Sequence, residues 1–237
     1  MRNRWVIPDI HGHLCTLRAL IENVIKLSKE DSLYFLGDYI DRGNESKGVI
    51  DYIIGLQEEG FDVHCVRGNH EDYCIRAWEA DKKRFLFRSK IEKDWRKNGA
   101  EETLRSFGVK RPREIDEYYI NWMKKTEYFI ELDTCILVHA GLNFKVKNPF
   151  DDHHAMMWIK DFKVRKSKVG GKKVIHGHIP IERSMIDLFK DNNYDFLSLD
   201  NGIYYKKMDG FGSLLAYNID TNEILSQQNI DPETYQR

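Results

Sequence analysis

The sequence is poor in the features that mark membrane and nucleic-acid-binding proteins. Its 37 basic residues nearly balance 38 acidic ones, so the net charge of −1 attracts neither nucleic acid nor a membrane surface. No apolar stretch approaches the roughly 20 residues that a membrane-spanning helix needs. The 237 residues contain no repeat and no low-complexity segment. We therefore expect neither a nucleic-acid partner nor a membrane partner.

Cysteines are also sparse. The four of them include no CxxC pair and stand at Cys15, Cys65, Cys74 and Cys135. In a chain of this size, scattered cysteines favour reduced, partly buried thiols over a disulfide framework. The N-terminal stretch MRNRWVIPDIHG has an apolar segment far too short for a signal peptide. Both observations predict a cytoplasmic location.

The apolar sequence that is present suffices for a sizeable core, since 41% of the residues are hydrophobic. Apolar runs at 4–7, 31–36 and 61–66 predict strands, and the apolar residues of 14–27 and 49–56 recur at helical spacing. This alternation predicts parallel strands with helical crossovers. In such sheets, ligands bind at the carboxyl ends of the strands.

The remainder of the chain divides into a helical part and a strand-rich part. Residues from about 77 to 127 carry tryptophans and many charges at helical spacing, which predicts a helical insert. The C-terminal part is expected to form a second set of strands joined by turns such as Asp200-Asn201-Gly202. The predicted strands after the insert lie at 128–132, 135–138, 173–175, 196–199 and 213–219.

Polar clusters bounded by glycine follow five of the predicted strands. Taken singly, each has a structural explanation, because a DxHG sequence can cap a helix and an HGH sequence is often a surface turn. Five such clusters at five strand ends are not expected from structure alone. The clusters consist of Asp9 and His11; Asp38, Asp41 and Arg42; Asn69 and His70; His139; and His176 and His178.

The chemistry that suits these residues is a centre of two metal ions. Imidazole and carboxylate ligands suit Mn, Fe or Zn better than Ca or Mg. The two oxygens of a carboxylate such as Asp38 can bridge two ions, and ions about 3.5–4 Å apart can clamp a phosphate group. We expect two divalent metal ions, Mn first, with Fe and Zn as alternatives.

The motifs PDIHG, GDYIDRG, GNHE, VHAG and HGH, in this order, resemble those of PPP-type serine/threonine phosphatases within the calcineurin-like metallophosphoesterases. Trp95, Asn98-Gly99 and Thr103-Leu104 resemble the bacterial branch, which is related to symmetrical dinucleoside tetraphosphatases. The resemblance implies an α/β fold, a four-layer α/β/β/α sandwich. No linker divides the chain, so we expect one catalytic domain over 1–237 that includes the helical insert. In this insert, the 95–104 segment is expected to serve for packing and a turn, with contact between Asn98 and the substrate as the alternative.

The resemblance further assigns roles to the clustered residues. Arg42 would hold the phosphate oxygens together with Asn69, and His70 would protonate the leaving group with Asp41 as its partner. A water activated by the metals would attack phosphorus directly. One ion would be held by Asp9, His11 and Asp38, and the second by Asp38, Asn69, His139 and His178.

Weaker signals stand outside the main motifs. Lys160 occupies the position of an arginine that helps bind phosphate in a bacterial WIRxxF segment, so it is expected either to touch substrate or to be a solvated base. The basic stretch 163–173 predicts a solvated loop or a rim that attracts polyanions. His153 and His154 are expected in a polar loop, and His176 either steadies His178 or ends its strand.

Three functions remain open for the sequence. The first is a protein phosphatase or phosphomonoesterase acting on phosphoserine, phosphothreonine or small monoesters. The second is a hydrolase of symmetrical dinucleoside polyphosphates, and the third is a catalytically idle regulatory domain. The third is disfavoured because no predicted ligand and neither acid–base residue is missing.

Overall fold

Two β-sheets form the centre of the protein, whose computed structural model describes residues 2–83 and 87–232. The parts of the predicted domain and insert at 84–86, and the ends of the domain at 1 and 233–237, lie outside the described residues. The strands are β1 Arg4–Ile7, β2 Ser32–Phe35, β3 Asp62–Cys65, β4 Phe129–Glu131, β5 Cys135–Val138, β6 Lys173–His176, β7 Phe196–Ser198, β8 Ser213–Asn218 and β9 Ile224–Gln228.

Helices surround both sheets. A π-helical turn, Leu20–Ile25, continues α1, so the helix predicted at 14–27 is present but changes its winding halfway. The α-helices are α1 Leu14–Ala19, α2 Ser46–Glu58, α3 Asn69–Lys82, α4 Lys90–Arg96, α5 Ala100–Ser106, α6 Glu117–Lys125, α7 His153–Trp158 and α8 Arg183–Asp191.

The first sheet has the strand order β3-β2-β1-β8-β9. The expected parallel pairing of β1, β2 and β3 is confirmed, with Ile7 opposite Phe35 and Phe35 opposite Cys65. The expected C-terminal strands are present but do not form one set, because β7 joins the second sheet while β8 returns to pair with β1 in the first. The apolar side chains of β8 are buried on both faces of the first sheet, with Leu214 among the helices and Leu215 between the sheets.

The second sheet has the order β4-β5-β6-β7, and β5, β6 and β7 run parallel. Side chains of both sheets, among them Val6, Leu36, Leu137 and Leu197, form one buried apolar cluster between the sheets. Helices cover the outer face of the first sheet, and α7 with its neighbouring loops covers that of the second. This is the four-layer α/β/β/α arrangement that the resemblance implies.

The predicted helical insert is confirmed in its described part, where α4 and α6 pack against α3 while α5 packs against α2 and α4. Buried side chains of the insert, such as Trp95, Leu104 and Ile120, belong to the same apolar cluster as the core of the first sheet. No helix within 2–83 or 87–232 has the length and apolar character needed to cross a membrane. The four cysteines are unpaired, with Cys15 exposed and the other three buried.

The start of the first sheet offers a test of stability against pH. Asp31 is buried and accepts four hydrogen bonds, at 2.8–3.0 Å, from the backbone N–H and side chains of Asn3 and Ser28. Burial alone would raise the pKa of Asp31. The hydrogen bonds to its carboxylate have the larger combined effect and lower this pKa below its ordinary value. An Asp31→Asn variant should therefore lose about 1–3 kcal/mol of unfolding free energy at pH 7.

The difference between this variant and the wild type should shrink as pH falls. A carboxyl with a depressed folded-state pKa stabilises the fold above its unfolded-state pKa, and that contribution is lost on acidification below it. Urea unfolding at pH 7, 5 and 3 measures the difference, with the exposed Asp191→Asn as a matched control. A constant difference at all three pH values would show that the charge of Asp31 is not the cause.

Candidate metal centre

Five strand ends meet at one edge of the two-sheet core, and glycines let them come close. A Cβ atom added at Gly68 would lie 2.1 Å from Asp38 Oδ1, and one added at Gly177 would lie 2.1 Å from Asp9 Oδ1. Real Cβ atoms do not approach another atom so closely. The glycines of the GNHE and HGH motifs are therefore required for the carboxylates to occupy these positions.

The backbone at this edge is strained. Among the described residues, eight other than glycine have a left-handed backbone, and five of these eight belong to the predicted site. Such conformations cost about 1–3 kcal/mol each and persist where the surrounding structure enforces them, often at functional sites. The five site residues are His11, Asp38, Asp41, Arg42 and His178.

The first group of potential ligands surrounds His11. Its Nδ1 donates a hydrogen bond to the carbonyl oxygen of Ile40 at 3.0 Å, which leaves the lone pair on Nε2. That Nε2 atom is buried and has no hydrogen-bond partner among the described residues. It lies 3.6 Å from Asp38 Oδ2 and 4.0 Å from Asp9 Oδ2. A lone pair facing two carboxylates suits a cation placed among them.

The second group brings together atoms that carry lone pairs. His139 donates from Nδ1 to the carbonyl oxygen of Leu36, so its Nε2 is an acceptor. This Nε2 lies 2.9 Å from Asn69 Oδ1 and 3.2 Å from His178 Nδ1, and burial lowers the pKa of both imidazoles. Asn69 Oδ1 and His139 Nε2 both present lone pairs, so these two atoms repel each other at 2.9 Å unless a cation lies between them. The donor set therefore fits a metal ion here as well.

Asp38 belongs to both groups. Its ligand atoms and those of His11 and His70 lie within 4.8 Å of one another, and the same holds for Asp38 with His139 and His178. Burial alone would raise the pKa of Asp38, but the surrounding histidines, His139 first, hold it below its ordinary value. These His and Asp groups could hold two metal ions with Asp38 shared between them.

Glu71 fixes the loop that carries Asp38, a role that the sequence does not reveal. Its buried carboxylate accepts hydrogen bonds from the backbone N–H groups of Asp38 at 2.9 Å, Tyr39 at 2.9 Å and Gly68 at 3.0 Å. From the GNHE motif alone, this acid looks like a helix cap. Glu71 thus connects the loop after β2 with the loop after β3. Its hydrogen bonds hold Asp38 in a left-handed backbone conformation.

His70 and Asp41 form the pair that the resemblance implies. Asp41 Oδ2 accepts a hydrogen bond of 2.6 Å from His70 Nδ1, and both residues are buried. The other ring nitrogen, Nε2, faces the site at 3.8 Å from Asp38 Oδ2. Although burial lowers it, the carboxylates of Asp38 and Asp41 leave the pKa of His70 above its ordinary value. A protonated His70 can thus present one N–H toward the metal groups.

Arg42 lies next to this pair on an aromatic support. Its guanidinium carbon is 4.1 Å from the ring centre of Tyr204, whose ring also packs edge-on against His11 at 5.4 Å. The Nη2 atom lies 3.4 Å from His70 Nε2. Among the described residues, no carboxylate forms an ion pair with Arg42. The planar pair of N–H groups of its guanidinium, called its fork below, is therefore available to an anion. No motif marked Tyr204, because it contributes through a loop without periodicity.

The weaker sequence signals have no part in the two groups of potential ligands. Lys160 is exposed and makes no hydrogen bond or ion pair within the described residues, so its contact with substrate stays a prediction. Two lysines of the basic stretch 163–173 form ion pairs, Lys166 with Asp195 at 2.8 Å and Lys172 with Glu131 at 2.7 Å. His176 is buried at the end of β6, where its Nδ1 bonds the carbonyl oxygen of Gly177 at 3.1 Å.

The two histidines at 153 and 154 are exposed and lie at the start of α7, which the sequence predicts as a polar loop. His153 stacks on Tyr128 with ring centres 4.0 Å apart, and His154 stacks on Trp158 at 6.0 Å. Neither belongs to a group of potential metal ligands among the described residues. They do not form a third metal site there.

Comparison with known proteins gives one family and several relatives. The sequence profile described as calcineurin-like phosphoesterase matches residues 3–206. The chain is 37% identical over 78 residues to serine/threonine-protein phosphatase 2 of Escherichia coli (strain K12), which is 33% of this chain and 34% of that protein. It is 28% identical over 142 residues to a symmetrical bis(5'-nucleosyl)-tetraphosphatase of Buchnera aphidicola subsp. Acyrthosiphon pisum (strain Tuc7), which is 59% of this chain and 44% of that protein.

These matches thus span less than half of the relatives' own length. Among solved structures, that of a candidate diadenosine tetraphosphatase matches with a TM-score of 0.65 and 16% identity, over 94% of this chain and 92% of that chain. A serine/threonine phosphatase from Saccharomyces cerevisiae matches with a TM-score of 0.64 and 13% identity, over 97% of this chain and 81% of that chain. At such identities the likeness concerns the fold.

Proposed function

The chain belongs to the calcineurin-like phosphoesterase family, and from this premise we propose that it is a dimetal-dependent phosphoester hydrolase, in the first place a serine/threonine-type protein phosphatase or phosphomonoesterase. One observation carries the proposal. Two groups of ligand atoms share Asp38, and Arg42, which forms no ion pair with a described carboxylate, faces them beside the His70–Asp41 pair. Cations, an anion-binding fork and a proton donor are what phosphate hydrolysis requires.

We assign one ion to Asp9, His11 and Asp38, and the other to Asp38, Asn69, His139 and His178. The mixture of imidazole, carboxylate and amide oxygen suits Mn, with Fe and Zn as alternatives. When bound, two such ions supply positive charge against the phosphate oxygens and make water nucleophilic near neutral pH.

The protein's own side chains would carry out the remaining steps. Arg42 would bind two phosphate oxygens with its fork, and the amide of Asn69 would assist it. His70 would donate the proton on Nε2 to the oxygen that leaves phosphorus, while Asp41 holds Nδ1 and keeps the imidazole oriented. Lys160 would contribute a positive charge at the rim. We propose that the helical insert and the two sheets together form one catalytic unit in the cytoplasm.

Replacing Arg42 by lysine tests the grip on phosphate. The variant keeps the charge but loses the planar fork and its stacking on Tyr204, so kcat/KM for phosphoserine should fall about 10- to 100-fold. Metal content should stay the same, because Arg42 is no ligand. The matched control is Arg18→Lys, because Arg18 is an exposed arginine that forms an ion pair with Glu22 at 3.0 Å. Equal kcat/KM in the Arg42 variant and wild type would remove Arg42 from the substrate site.

A symmetrical bis(5'-nucleosyl)-tetraphosphatase is the second candidate, supported by the relatives of that name. A substrate panel separates it from the first. Phosphoserine and phosphothreonine peptides, para-nitrophenyl phosphate and diadenosine tetraphosphate are each assayed with added Mn and with a chelator. Release of ADP from diadenosine tetraphosphate far faster than phosphate from peptides would favour the second candidate. Activity that survives the chelator would overturn the metal-dependent mechanism.

The same panel tests the third possibility, an inactive regulatory domain. This possibility is disfavoured because the predicted ligands and the His70–Asp41 pair lie close together. A domain without activity has no need of a buried proton donor beside the metal groups. Protein that binds no metal and hydrolyses none of the esters would revive it. The panel run with mass-spectrometric metal analysis therefore addresses all three candidates.

A further inference from the structure

Asp41 accepts more hydrogen bonds than its pairing with His70 needs. Its Oδ2 accepts from His70 Nδ1 at 2.6 Å and also from Trp95 Nε1 at 2.7 Å. Its Oδ1 accepts from Thr103 Oγ1 at 2.5 Å, and its backbone N–H bonds Ser46 Oγ at 3.0 Å. All five residues are buried. The carboxylate is thus held from three sides, with no water exposure.

Two of these donors come from the helical insert. Trp95 lies near the end of α4 and Thr103 in the middle of α5, whereas Asp41 follows β2 and His70 lies in the first turn of α3. The turn between α4 and α5 also touches the site, because the carbonyl oxygen of Gly99 accepts a hydrogen bond from the backbone N–H of Arg42 at 3.3 Å. The insert therefore forms the wall behind the acid–base pair.

The geometry points to a function for this wall. A carboxylate that contacts only an imidazole can rotate, and the imidazole then rotates with it. Donors fixed on both oxygens stop that rotation, so that His70 Nε2 keeps one direction toward the substrate. We propose that Trp95 and Thr103 are positioning residues that hold Asp41, and through it His70, in the orientation for proton transfer. This proposal rests on the phosphoester hydrolysis proposed above.

Proton transfer matters only for some substrates, and this allows a specific test. When the phosphorus–oxygen bond of an alkyl phosphate breaks, the proton on His70 Nε2 passes to the departing oxygen, and water supplies the new oxygen on phosphorus. A dinitrophenolate departs as a stable anion without that proton. Loss of positioning should therefore slow hydrolysis of phosphoserine much more than that of 2,4-dinitrophenyl phosphate.

Thr103 offers the sharper pair of variants. Thr103→Val keeps the shape but removes the hydroxyl group, while Thr103→Ser keeps the hydroxyl. We expect Thr103→Val to lower kcat on phosphoserine about 10- to 100-fold and on 2,4-dinitrophenyl phosphate less than about 3-fold. Thr103→Ser should restore most of the loss, and metal content should not change. Trp95→Phe should show the same preference for the ester with the better leaving group.

A double mutant tests whether Thr103 acts through His70. In a His70→Asn background, Thr103→Val should lower kcat on phosphoserine by less than about 3-fold, because the proton donor is already absent. Equal losses on both esters, or a serine variant no better than the valine variant, would overturn the positioning role and leave the hydrolase proposal intact. A wild-type protein inactive on both esters with added Mn would overturn the hydrolase proposal and the positioning role with it.

Discussion

A His70→Asn variant is expected to hydrolyse phosphoserine about 100- to 10,000-fold more slowly than the wild type while keeping its metal ions. His70 Nδ1 is engaged by Asp41 at 2.6 Å, so only Nε2 can face a substrate. The two carboxylates of Asp41 and Asp38 favour the protonated ring against the effect of burial. The measurements are kcat on phosphoserine and metal content by mass spectrometry.

The position of His70 makes the metal analysis decisive. Its Nε2 is 3.8 Å from Asp38 Oδ2, near enough for the ring to act as a metal ligand instead. If His70→Asn loses one of its ions, His70 is a ligand and its role as proton donor is wrong. His153→Asn provides the matched control, because His153 is exposed on α7 and, within 2–83 and 87–232, stacks on Tyr128 alone.

The position of the site in the fold was predictable from sequence, and the reason is topological. Parallel strands with helical crossovers place their carboxyl ends at one edge, so clusters distant in sequence meet there. Asp38, His139 and His178, which are separated by up to 140 positions, therefore come within 4.8 Å of one another. Glycine spacing supported the inference, since the structure needs Gly68 and Gly177 for close approach.

The supporting side chains were not predictable in the same way. Glu71 belongs to the GNHE motif and looks like a helix cap, and only its bonds to the backbone of Asp38 and Tyr39 show that it also holds the loop after β2. Trp95 and Thr103 lie in a helical segment whose pattern predicts packing. Tyr204 lies in an irregular loop. Such roles depend on tertiary contacts, which local periodicity does not encode.

The outer parts of the fold show the same limit. α8 was missed although Ile186 and Phe189, three positions apart, pack on the apolar cluster between the sheets. β9 was missed because its side chains are largely half-exposed, so no regular alternation marks it. Both elements form because they cover neighbouring strands. The formation of β9 is decided by burial in the tertiary structure and only weakly by its own sequence.

The largest expected effect comes from Asp38. An Asp38→Asn variant should lose both metal ions and at least about 1,000-fold of the activity, because several kcal/mol of charge stabilisation disappear with them. The amide of asparagine keeps the shape of the side chain. However, it has one neutral oxygen, whereas the carboxylate of Asp38 has two charged oxygens, one facing each ligand group. His11 lies 3.6 Å from one carboxylate oxygen and His139 3.5 Å from the other. A single residue thus connects the two groups.

Comparison with one-sided variants makes this test specific. Asp9→Asn should weaken only the ion held with His11, and His178→Asn only the ion held with His139, so each variant should retain about one ion per chain. Asp38→Asn should retain neither, since the remaining ligands of each group are then too few and largely uncharged. If Asp38→Asn keeps one full equivalent of metal, Asp38 serves one ion alone. The centre would then consist of two independent sites in place of one bridged pair.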